Sequence, residues 1–226
     1  MGQTINSKTK VAFCGKVGES ILETQKKLQG CMDDLYATAT AAKYAAVDRA
    51  YNGLAELSSE FSNVLAKNKK TLVEICEGLV KRTDVGETFV ADAKKTLAEL
   101  EAIPGAVTFE AITAERDGSE VWDSAMQNRT NEGIFAWVNV RKVWIEDLST
   151  SFKGIEDDEF KSAIKPIGKS NEEFTNSIVS NVNKLEEAFA ELGIDIDKFI
   201  NSVNDTATST GIGATEVKVD LKGASY

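Results

Sequence analysis

Between Cys14 and Ala45, the residues Cys14, Val17, Ile21, Thr24, Leu28, Cys31, Leu35, Thr38, Ala42 and Ala45 alternate steps of three and four, with no proline among them. Such spacing lines up one face of a single α-helix. Continued to the neighbourhood of Arg49, it gives a rod roughly 50 Å long at ~1.5 Å per residue. A rod with one apolar face must bury that face against another element. The small residues of ATATAAKYAAVDRA let a partner helix come close near its end.

A second stripe supplies such a partner. Leu54, Leu57, Phe61, Leu65, Asn68, Leu72, Ile75, Leu79, Arg82, Gly86, Phe89, Ala93, Leu97 and Leu100 keep the same steps until Pro104 and Gly105 stop them. Tyr51-Asn52-Gly53 lies between the two stripes, so the chain is expected to double back there as an antiparallel hairpin, in preference to one unbroken rod. Residues 104–120 hold a proline and two glycines without a sustained period and read as a connector with a helical turn or more.

Beyond the connector, Trp122, Met126, Ile134, Val138, Arg141, Ile145, Leu148 and Phe152 form a third stripe, followed by Phe152-Lys153-Gly154. A fourth runs through Phe160, Ile164, Ile167, Asn171, Phe174, Ile178, Asn181, Leu185, Ala188 and Leu192, with a kink or break expected at 165–170, where Pro166 removes a backbone hydrogen bond. The expected organisation is therefore all-α. A first hairpin occupies 1–103, a connector 104–120, a second hairpin 121–203, and a flexible tail 204–226, in which TEVKVDL is read as loose rather than as a strand. Only two prolines and 8% aromatic residues agree with long helices. Asn68, Arg82, Asn171 and Asn181 interrupt the stripes and are candidates for fixing helix register.

Composition narrows the chemistry. There is no histidine, which removes the commonest general base and the histidine-based metal sites. No catalytic, cofactor or metal residue is assigned, and no cofactor is expected. The acids of IEDDEF are read as first-turn residues that complement a helix dipole. A net charge of −10 argues against nucleic acid as a partner, and basic pairs such as Arg141-Lys142 are read as solvated helix faces. No stretch has the ~18 apolar residues of a membrane span. The start MGQTINSKTK lacks the apolar core of a signal peptide, so the protein is expected to be made in the cytoplasm, and any export would use a route without a cleavable signal. Cys14, Cys31 and Cys76 are odd in number and widely spaced, and read as free buried thiols.

Each half shares a layout of long helix, aromatic-X-Gly and long helix. In this layout the chain resembles the Trp-X-Gly family of helical hairpins that are substrates of the type VII secretion system. The resemblance covers YNGLAELSSEF with VGETFVADAKK in the first half and FKGIEDDEF with NKLEEAFAELG in the second. It implies that Tyr51, Gly53, Phe152 and Gly154 form two hairpin turns and that the hairpins pair as an elongated antiparallel four-helix bundle. It also implies that the chain, as monomer or homodimer, is a non-enzymatic interaction protein whose partner is secretion machinery. Tyr51 and Phe152 stand where the family has tryptophan, and no Tyr-x-x-x-Asp/Glu signal follows either second helix. Two other readings stay open at this point, a subunit of an α-helical pore-forming toxin and a cytosolic or virion scaffold.

Overall fold

A computed structural model describes residues 2–113 and 121–208 of the chain. Its regular elements are all helices: α1 (Gly2–Ala42), α2 (Ala45–Val80), α3 (Glu87–Glu101), α4 (Ser124–Phe152), α5 (Asp158–Ser180), α6 (Asn183–Glu191) and α7 (Ile196–Thr208). The stripes explain why. Their apolar residues, from Phe13 to Val203, meet in one helical-bundle core, and Leu79, Phe89 and Ala93 form a small satellite at one end.

Cross-helix contacts fix the directions. α2 runs back along α1, so that Arg82, just past its end, bonds Ser7 near the start of α1. α4 also runs opposite to α1. Its Gly133 carbonyl lies 3.6 Å from the Cys31 thiol, Asp147 accepts from Ser20 at 3.3 Å, and Phe152 packs edge-on against Phe13 at 5.5 Å. α5 and α6 run opposite to α2, through Ser170 to Asn68 at 2.7 Å, Ser177 to Glu60 at 2.6 Å and Lys184 to Glu56 at 2.9 Å. α7 lies against α4, α5 and α6. Among the described residues, no helix is long and apolar enough to cross a membrane.

Several expectations need correction. First, the reversal expected at Gly53 is made at Lys43 and Tyr44, and Gly53 sits inside α2. Lys43 takes the left-handed conformation (φ 46°), and its N–H reaches the Ala39 carbonyl at 3.1 Å, the bond of an αL cap. Tyr44 then stacks on Trp122, with ring centroids 5.2 Å apart, while the Val121 N–H satisfies the Ala42 carbonyl at 2.9 Å. These tertiary contacts hold a turn that lysine does not itself favour.

Second, the stripe from Leu54 to Leu100 is not one helix. It breaks across 81–86, where Arg82 forks onto Asp84 (Nε to Oδ1, 2.8 Å), and α3 folds back onto α1 and α2. Third, the break expected at 165–170 does not occur, and α5 runs through Pro166 from Asp158 to Ser180. Pro166 is exposed, as is Ser162 four residues earlier, so the carbonyl that loses its donor faces water, while Ile164 and Ile167 stay buried. The interruption falls instead at Asn181 and Val182, where the Asn181 side chain caps the Ser177 carbonyl at 2.8 Å.

Fourth, residues 104–113 contain no helical turn, and the rest of the expected connector, 114–120, lies outside the described residues. Residues 104–113 lie along α2, held by Ser62 to the Val107 N–H (2.7 Å), Ser59 to the Phe109 N–H (2.9 Å) and Asn52 to both the N–H (2.7 Å) and carbonyl (3.3 Å) of Ile112. These polar residues give the connector's backbone the partners that a helix would have supplied internally. At the other end, α7 extends the ordered helix to Thr208, past the expected start of the tail. The TEVKVDL reading lies outside the described residues.

Candidate functional site

The four residues expected at hairpin turns fall in two unlike settings. Phe152 ends α4 and packs against Phe13; Gly154 follows in the α4–α5 link with φ 78° and open space around it. Asp157 then starts α5 by accepting the Phe160 N–H at 2.9 Å, and that backbone bond, with Lys10 nearby, holds its carboxyl below the usual range. Tyr51 is buried on α2, edge-on to Tyr36 with centroids 5.8 Å apart. Burial, followed by Tyr36 and Asp33, pushes its phenol pKa up. Gly53 faces α6, where a Cβ would collide with the Leu185 side chain. The two motifs are not brought together.

The structure assembles a different group, a polar layer inside the core. Trp137 donates to Ser58 at 2.8 Å, and Trp144 to Asn171 at 2.8 Å, whose amide returns to the Ile167 carbonyl at 2.8 Å. Ser170 donates to Asn68. Of the candidates for fixing register, Asn68 and Asn171 are therefore buried between helices, whereas Asn181 caps α5 and Arg82 braces the α2–α3 turn against Ser7 and Asp84.

At the centre of this layer is Arg141, which is 1% exposed. Its Nη2 donates to the Thr175 hydroxyl, and its guanidinium carbon lies 5.7 Å from the centre of the Phe174 ring. Nε and Nη1 have no partner. Burial lowers its pKa to about 10, still well above neutrality, so a full positive charge sits in the core. Reading Arg141-Lys142 as a solvated face is thus corrected: Lys142 is exposed and Arg141 is not. The available signal was the position of Arg141 in the apolar stripe, between Val138 and Ile145.

All three cysteines are free and buried. Desolvation raises Cys14 to about 12, with Cys76 adding to the effect, and raises Cys31 and Cys76 to about 11. At neutral pH they are thiols, not nucleophilic thiolates. Among the described residues, no group of three or more Cys, Asp or Glu is arranged to hold a metal ion. No protein-family model, curated protein or solved structure matches this chain.

Proposed function

We propose that this chain is a non-enzymatic interaction protein. It consists of two long antiparallel hairpins, α1 with α2 and α4 with α5, closed as a four-helix bundle, and it acts as a type VII secretion-associated substrate or carrier. The observation that carries the interaction reading is the engagement of core polar groups with one another across helices, as in Trp137 with Ser58, Trp144 with Asn171 and Asn68 with Ser170. The paired polar groups of the interior hold the helices in register, and recognition falls to residues outside those pairs, of which a few supply most of the binding energy. Secretion association is supported by Phe152-Lys153-Gly154, an aromatic-X-Gly sequence at a chain reversal with its glycine at positive φ. Tyr51-Asn52-Gly53 lends it no support.

Two measurements test these parts separately. Light scattering after size exclusion is expected to give the mass of a monomer or homodimer; large assemblies would replace this reading with a scaffold. Expression in a host with and without its type VII secretion ATPase is expected to place the protein in the medium only when the ATPase is present. ATPase-independent distribution would remove the secretion role and leave the interaction role standing.

A further inference from the structure

The α4–α5 seam is already shaped for a helix, because α7 lies in it. Gln127 near the start of α4 donates to the Leu192 carbonyl at 3.2 Å, and Phe199 stacks on Trp137 with centroids 6.3 Å apart. α7 therefore runs parallel to α4, and one further turn along both helices brings Val203 to the level of Arg141. Phe199 and Val203 are buried on α7. The link before α7 ends α6 in a Schellman turn, with Gly193 at φ 69° and the Ile194 N–H on the Phe189 carbonyl at 2.8 Å.

By helix pitch, α7 brings an aliphatic side chain, Val203, to the level of a buried guanidinium with two unpartnered nitrogens. A buried cation without a counter-charge is strongly disfavoured, and a carboxylate on its free N–H groups is the group that best relieves it. We propose that the α4–α5 seam is a docking groove for a carboxylate-bearing amphipathic helix of a protein partner, which displaces α7 and pairs its acid with Arg141. The proposal rests on the reading of the chain as an interaction protein and is independent of secretion.

The test uses the full chain and two fluorescent peptides of residues 194–208, one native and one carrying Val203→Glu, with binding followed by anisotropy. The Val203→Glu peptide is expected to bind roughly tenfold more tightly, as one charge-assisted hydrogen bond provides. Arg141→Met, checked for folding by circular dichroism, is expected to abolish that preference. Failure of the Val203→Glu peptide to bind, equal binding of the two peptides, or a preference that survives Arg141→Met would each overturn the proposal. Tighter binding by the native peptide would make the seam a site for a second copy of this chain and would also overturn it. As a check within the chain itself, Val203→Glu should lower the melting temperature more in the Arg141→Met background than in the native one; additive effects would count against the pairing.

Discussion

Gly53 and Gly154 each stand two residues after an aromatic, and each is required for a different reason. Gly154 has nothing within 4 Å of a Cβ built on it but adopts φ 78°, so it supplies conformation. Gly53 lies in regular helix, yet its Cβ position is taken by Leu185, so it supplies room. One lets the chain reverse between α4 and α5, and the other lets α6 press against the backbone of α2. A glycine in sequence signals that a side chain is unwelcome without saying whether φ or packing forbids it.

Asparagine separates the two cases, because it tolerates the left-handed region but needs space. Gly154→Asn is expected to change unfolding stability by less than about 0.5 kcal/mol. Gly53→Asn is expected to cost about 3 kcal/mol, since it overpacks the contact with Leu185 and buries an amide. Urea denaturation measures both; equal losses would dissolve the distinction. A smaller effect tests the cause at Gly53. Gly53→Ala gains roughly 1 kcal/mol of helix propensity but clashes, whereas in a Leu185→Ala background the clash is gone and only the gain remains. A double-mutant cycle should therefore show a coupling of about 1–2 kcal/mol. Zero coupling would mean that Leu185 is not what excludes a side chain.

The same distinction explains what could be read from the chain. Helix class and the four main apolar faces were legible because each stripe repeats over many turns, and a repeat of that length has one physical meaning. Turns inside a stripe were not. Arg82 and Gly86 keep the spacing of the helix they interrupt, and the partner that Arg82 takes there, Ser7, is 75 residues away in sequence. Pro166 misled in the other direction, since its cost depends on whether the freed carbonyl faces water. The interior polar layer was half legible: Asn68 and Asn171 stood out as polar residues on apolar faces, while Arg141 was masked by its pairing with Lys142. The connector's attachment to Asn52, Ser59 and Ser62 depends on which face of α2 is left open, and that is a tertiary fact.

At Gly154 itself, alanine isolates the conformational term. The position is open, so Gly154→Ala adds no clash, and the expected loss of about 1 kcal/mol comes from holding an L-residue at positive φ. A stability unchanged within error would show that the α4–α5 link can turn without a left-handed residue.

The smallest expected effect bears on where the chain reverses between α1 and α2. Lys43 pays the left-handed penalty that glycine would avoid, and Lys43→Gly relieves about 1 kcal/mol of it while adding a smaller unfolded-chain entropy of roughly 0.5 kcal/mol. The net expectation is a stabilisation of a few tenths of a kcal/mol, read as a small rise in the urea midpoint at unchanged slope. If the chain instead reversed at Gly53, Lys43 would lie inside a helix, where glycine costs roughly 0.5–1 kcal/mol relative to alanine and the midpoint would fall. The sign of this one shift therefore decides between a turn at Lys43, held by Tyr44 stacked on Trp122, and a turn ten residues later at Gly53. Removing the stack sharpens the result. In a Trp122→Ala background the turn loses its tertiary brace, and Lys43→Gly should then stabilise by less than it does in the native chain, because a lysine with less to hold it leaves the left-handed conformation and little strain remains to be relieved.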